Sequence, residues 1–167
     1  MARRICVMEK GELLAHQETL DDDHRMSEHD ANKRKHLELI QGIITRLAQN
    51  SFFLKGWTVT LVAAVFVLQF KAPVPLFLLI ALLPILAFWG LDAYFLQQER
   101  RYRGLYEAVA KRSEEAIDFQ MDISSYTTAE NPRFGYWAAL FSRTLLAFYV
   151  ILTALVAGIV ILEQNLV

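Results

Sequence analysis

Apolar and charged residues are segregated along this chain in a way that few folds accommodate. Residues 51–96 and 136–162 hold nearly all of the long apolar runs, and 1–50 and 97–135 hold nearly all of the charge. A helical run of about 20 apolar residues spans the ~30 Å hydrocarbon core of a bilayer. The pattern excludes an ordinary water-soluble globule and predicts an all-α membrane protein. At 167 residues the chain is one domain's worth, so a multidomain enzyme is a poor fit. The net charge of −1 excludes a globally basic nucleic-acid binder but leaves room for a local basic patch.

Three transmembrane helices are expected. The first covers 51–70, with Lys55 one turn inside it, where a long side chain can snorkel to the interface. Pro73 and Pro75 then break the helix and suit a tight turn. The second span, 74–96, is apolar but for Asp92 near its end, and Pro84 in mid-span predicts a kink. The third, 136–162, contains Arg143 and ends in Ala154-x-x-x-Gly158, a small-residue spacing that lets helix backbones approach closely.

Lys and Arg counts orient these spans. Nine fall within 1–55 and six within 97–135, against Lys71 alone in the first turn and none after Leu162. The positive-inside rule then puts the N-terminus in the cytoplasm and the C-terminus outside. Trp57, Trp89, Trp137, Tyr94 and Tyr136 fall near the inner boundary, as an aromatic belt would. Residues 1–10 lack the apolar stretch of a secretory signal, so the first span is expected to target itself. A lone cysteine, Cys6, excludes an intramolecular disulfide.

On the cytoplasmic side, 1–31 reads as a charged N-terminal segment. Its clusters Asp21-Asp22-Asp23-His24 and Glu28-His29-Asp30 lack the spacing of a helical zinc motif, and a solvated acidic linker is the better reading. Across 32–50, Leu37, Ile40, Ile43, Ile44 and Leu47 recur at three- and four-residue steps, which predicts an amphipathic helix running into the first span. Tyr102, Leu105, Tyr106, Val109, Ala116 and Ile117 predict a second cytoplasmic helix over 97–120. Residues 121–135 read as the loop returning to the membrane. The two cytoplasmic helices should pack as a stalk.

The chain carries no nucleophile elbow, Walker loop or metal motif, so neither an enzyme nor a cofactor is expected. Its informative residues are the intramembrane charges Lys55, Asp92 and Arg143, with an Asp92–Arg143 ion pair as the economical arrangement. Thr58, Thr60 and Gln69 make the first span the most polar and are candidates to line a pore in a ring of copies. Two basic groups remain. Arg100, Arg101 and Arg103 lie where anionic lipid headgroups sit, whereas Lys33, Arg34 and Lys35 lie farther out and suit a phosphate-rich ligand such as a nucleotide or oligonucleotide.

The stretch His36-Leu-Glu-Leu-Ile-Gln-x-x-Ile, the run from Asn50 through Lys55-Gly-Trp-Thr to Ala64, and Phe88-Trp-Gly-Leu-Asp-Ala-Tyr-Phe-Leu-x-x-Glu-Arg100 resemble small bacterial membrane proteins. In architecture the chain is similar to the transmembrane effectors of anti-phage defence systems of the SLATT and Hailong types. The resemblance covers about residues 32–105 and assigns no residue a role. It implies a gated pore in the bacterial inner membrane that depolarises an infected cell. The expectation is thus a homo-oligomeric channel gated by a cytoplasmic ligand. The alternative is a non-conducting anchor for a cytosolic operon partner.

Overall fold

The computed structural model describes the backbone of residues 2–69 and 77–166, and the side chains of 16, 17, 20–68, 80–159 and 161. Among these residues every regular element is helical. Helix α1 runs without interruption over Ala2–Gln69, about 100 Å at 1.5 Å per residue. Gly42 and Gly56 lie within it and do not break it. Its first thirty residues, expected as an acidic linker, are helical as well. Among residues 20–31 the charges are arranged so that a helix uses them. Arg25 pairs with Asp22 one turn back, and His24 lies 3.9 Å from Glu28 one turn on.

The proline break at Pro73 and Pro75 lies outside the described residues. Helix α2, Phe77–Lys111, carries Pro84 in its interior and passes the end of the apolar run without a break. It stops at Lys111, short of the expected 120. Ser113 is extended, a 3-10 turn follows at Glu114–Ala116, and Phe119 adopts a left-handed backbone with φ 53°. Ile117, whose spacing suggested more helix, instead joins Met121, Ile123 and Tyr126 in a return segment laid back across α1 and α2. Lys33 Nζ donates to the carbonyl of Arg112 at 2.9 Å and so satisfies an orphan acceptor at the end of α2.

The expected third span is two helices. A second 3-10 turn, Pro132–Phe134, leads into α3, Tyr136–Leu140, and α4 follows over Arg143–Leu166. Phe141 (φ −95°, ψ 22°) ends α3. The Ser142 carbonyl accepts the first bond of α4, from Leu146 N at 2.9 Å. The sequence marks this break only by the polar run Ser142-Arg143-Thr144 inside an otherwise apolar stretch.

Two apolar cores stack end to end along the bundle. One joins Val62 of α1, Ala81, Ile85 and Ala93 of α2, Ala139 of α3, and Leu145, Tyr149 and Val156 of α4. The other joins Ile40 and Ile44 of α1 to Leu105 and Val109 of α2, with Tyr126 and its neighbours packed on the side. Gly104 of α2 lies tight against the returning chain. A Cβ there would lie 2.8 Å from the Tyr126 ring and 2.9 Å from that of Phe134. Those rings meet edge to face at 5.6 Å.

Candidate functional site

Asp92 sits at the first core's end nearer the second, with no exposed surface. A buried carboxylate needs donors on every lone pair it presents, and three helices bring them. From α1, Lys55 Nζ donates to Oδ2 at 2.5 Å and the Ser51 hydroxyl donates to Oδ1. From α4, the Tyr149 hydroxyl donates to Oδ2 at 3.3 Å. Lys55 also donates to Ser51 Oγ at 2.8 Å, one helical turn back, which fixes its head against the carboxylate. One side chain therefore ties α1, α2 and α4 together.

The expected Asp92–Arg143 pair does not form. Arg143 is exposed at the start of α4, while Tyr149, about two turns on, occupies the place beside Asp92. Lys55, expected either to snorkel or to join that pair, is the counter-ion, its side chain still 24% exposed. Ser51 and Tyr149 were not singled out by sequence. Their only signal was position, Ser51 one turn from Lys55, and Tyr149 on the face of α4 that Leu145 and Val156 bury.

The pore-lining candidates do not share a face. Thr58 is fully buried in the bundle and donates to the Leu54 carbonyl at 2.7 Å. Thr60 is exposed and donates to the Gly56 carbonyl at 2.9 Å. Two residues on a helix are about 200° apart, which explains the split. Gln69 lies outside the described side chains.

Each member of the outer basic group has its own partner. Lys33 holds the end of α2, Arg34 donates to the Asp30 carbonyl, and Lys35 pairs with Glu38 at 3.3 Å. In the inner group, Arg103 pairs with Glu99, and Arg100 donates to the carbonyls of Arg133 (3.3 Å) and Ala138 (3.0 Å). Arg101 turns elsewhere, its Nε buried with no hydrogen-bond partner. Burial holds the Arg100 guanidinium below its usual pKa; Glu99 opposes that shift and Arg133 adds to it.

Around the first core the surface is inverted relative to a soluble protein. Phe52, Phe53, Trp57, Val67, Leu83, Leu86, Trp137, Ile151 and Leu155 are all exposed, while a carboxylate, a hydroxyl and a phenol are buried. That is the distribution hydrocarbon favours and water opposes. Of the expected aromatic belt, Trp57, Tyr94 and Trp137 face outward. Trp89 and Tyr136 turn in, donating to Leu140 O at 3.0 Å and Gly90 O at 3.2 Å. Two helices, α1 and α2, are long and apolar enough to cross a membrane; the apolar Arg143–Ile159 part of α4 is shorter.

These features define an all-helical protein with two helices suited to a membrane. Compared with known family models, curated proteins and solved structures, the chain matches none of them.

Proposed function

We propose that this chain is the subunit of a homo-oligomeric channel in a bacterial inner membrane, an anti-phage effector gated by a ligand at its cytoplasmic stalk. In this reading the apolar parts of α1, α2 and α4 make three crossings, with the N-terminus inside and the C-terminus outside. One observation carries it. Gly56, Thr60, Ala63 and Ala64 form an exposed small-residue stripe on α1, among its exposed large apolar side chains. Among the described residues, nothing beyond its own helix lies within 4 Å of a Cβ added at Gly56. In hydrocarbon such a stripe favours close packing of helices, and a second copy supplies the partner.

A ring built on α1 carries the Lys55–Asp92 pair and the basic stalk round its axis once per copy. A polyanionic ligand that draws Lys33 away from the Arg112 carbonyl would loosen α1 from the end of α2. The spans below inherit that change through continuous helices. The test is ion flux from liposomes holding the purified protein, together with chemical crosslinking. Higher-order crosslinks and flux that responds to a nucleotide or oligonucleotide are expected. A crosslinked monomer that passes no ions under any ligand condition would overturn the reading.

One observation favours the alternative of a non-conducting anchor. From Leu20 to Glu28 the side chains of α1 are exposed all round. A partner protein gripping that arm would give one-to-one crosslinks and no flux.

A further inference from the structure

Beside α3, where the return segment meets α2, lies a cleft of about 640 Å³. Arg100, Arg103 and Glu107 line it from α2, and Asn131, Pro132, Arg133 and Ala138 from the returning chain. Three guanidiniums thus surround one opening. The Arg103 partner Glu99 and the lining Glu107 balance two of the three charges, leaving one positive charge over. Among the described residues the Arg133 guanidinium has no ion-pair or hydrogen-bond partner. Arg100 and Arg133 are close enough to oppose each other's charge, and Arg100 is partly desolvated besides. Such a pair gains from an anion between its members.

The cleft's position says which anion. Its Ala138 wall belongs to the short helix that displays Trp137, 69% exposed and stacked on the exposed Phe141 at 6.3 Å. Exposed Trp beside clustered Arg, at the inner end of the apolar zone, is the combination found at headgroup depth. Arg100 follows the apolar part of α2 by one turn, and its side chain reaches back to the Ala138 carbonyl.

We propose that this cleft binds the phosphodiester headgroup of an anionic phospholipid, with Arg100, Arg103 and Arg133 around the phosphate. One phosphodiester charge neutralises the single excess cation. Glu107 and Asn131 supply acceptors for the hydroxyls of a glycerol headgroup and disfavour a second anionic phosphate. The bound lipid then joins α2 to α3 at the membrane surface. The assignment rests on the membrane placement proposed above and is independent of conduction.

Native mass spectrometry of the full chain, released from nanodiscs of equal phosphatidylglycerol and phosphatidylcholine, tests it. The wild type should retain phosphatidylglycerol over phosphatidylcholine by about fivefold. Arg133→Gln should remove most of that preference while leaving the circular dichroism unchanged, since this side chain holds nothing else in place. Lys111→Gln, one cation removed outside the cleft, should keep it. Equal retention of both lipids, or a preference that survives Arg133→Gln, would overturn the proposal. So would displacement of the lipid by excess inorganic phosphate, which would make the site one for a free anion. Loss of flux with lipid preference intact would count against the channel alone. Failure to enter nanodiscs would remove the membrane placement beneath both.

Discussion

Asp92 concentrates more of the fold in one residue than any other position. Asp92→Asn leaves the Lys55 ammonium beside a weakened acceptor and removes charge assistance from three donors. Breaking a buried pair costs ~3–5 kcal/mol, and the lower end applies here, since Lys55 remains 24% exposed. Thermal unfolding in detergent should show that loss. The double change Asp92→Asn with Lys55→Gln should be milder than the two single losses added together. Additive losses would mean that the contact contributes nothing. Arg143→Gln, by contrast, should stay within ~0.5 kcal/mol of wild type, as a change at an exposed position should. Sequence singled out Lys55, Asp92 and Arg143 as charges within apolar runs, because that is a matter of counting residues along the chain. It did not reveal which two meet. That depends on the rotation of α1 and α4 about their axes, which the burial of Thr58 and Tyr149 decides. A second position is as demanding for steric reasons. Gly104→Ala drives a methyl group into the Tyr126 and Phe134 rings and should cost ~1–3 kcal/mol, read as a lower melting temperature.

Among the elements, the helix over 32–69 was legible because apolar residues at three- and four-residue steps in 32–50 lead into an apolar span with no proline between them. The end of α2 was not. Ile117 keeps helical spacing, yet α2 stops at Lys111, Lys33 takes the Arg112 carbonyl, and the chain reverses. The return segment carries opposed pH responses. Asp118 and Asp122 are held below the usual carboxylate range, first by the backbone N–H groups of Gln120 and Ser124 and then by Arg112 and the Ser124 hydroxyl. A lowered carboxyl pKa stabilises the fold above the unfolded value of about 4 and ceases to do so as pH falls through the folded value. Glu114 behaves inversely. Its carboxyl is raised, first by a hydrogen bond with Asp30 and then by that group's charge, with Lys33 and His29 opposing. The Asp30–Glu114 contact is therefore at full strength below the unfolded pKa of Glu114 and is lost as pH rises through the folded one. Spin labels at Ser27 and Glu115 should move apart as pH rises from about 4 to about 7. Glu114→Gln should abolish that change, and a separation that ignores pH in the wild type would show that protonation of Glu114 does not hold the contact.

At the scale of the whole molecule, the apolar zone of the protomer is incompletely packed from a membrane protein's standpoint. Its large exposed side chains suit lipid, but its exposed small ones do not, because a groove of Gly56, Thr60, Ala63 and Ala64 packs poorly against mobile acyl chains. Gly158 on α4 is likewise open, with nothing among the described residues beyond its own helix within 4 Å of a Cβ placed there. If copies assemble as proposed, two seams are available for them to meet, and the described residues fill neither. Gly56→Leu separates assembly from folding. Within the protomer it fills open space and replaces a poor helix former by a good one, so the melting temperature of the isolated chain should hold or rise. Between copies it holds the backbones apart and should shift the crosslinked ladder towards monomer, with ion flux falling in step. Gly158→Leu makes the same exchange on α4. Should it dissolve the assembly while Gly56→Leu does not, copies meet through α4, and a pore lined by α1 is excluded. If both variants keep the wild-type ladder, neither stripe is an interface, and the exposed small residues serve only to thin the helices against lipid.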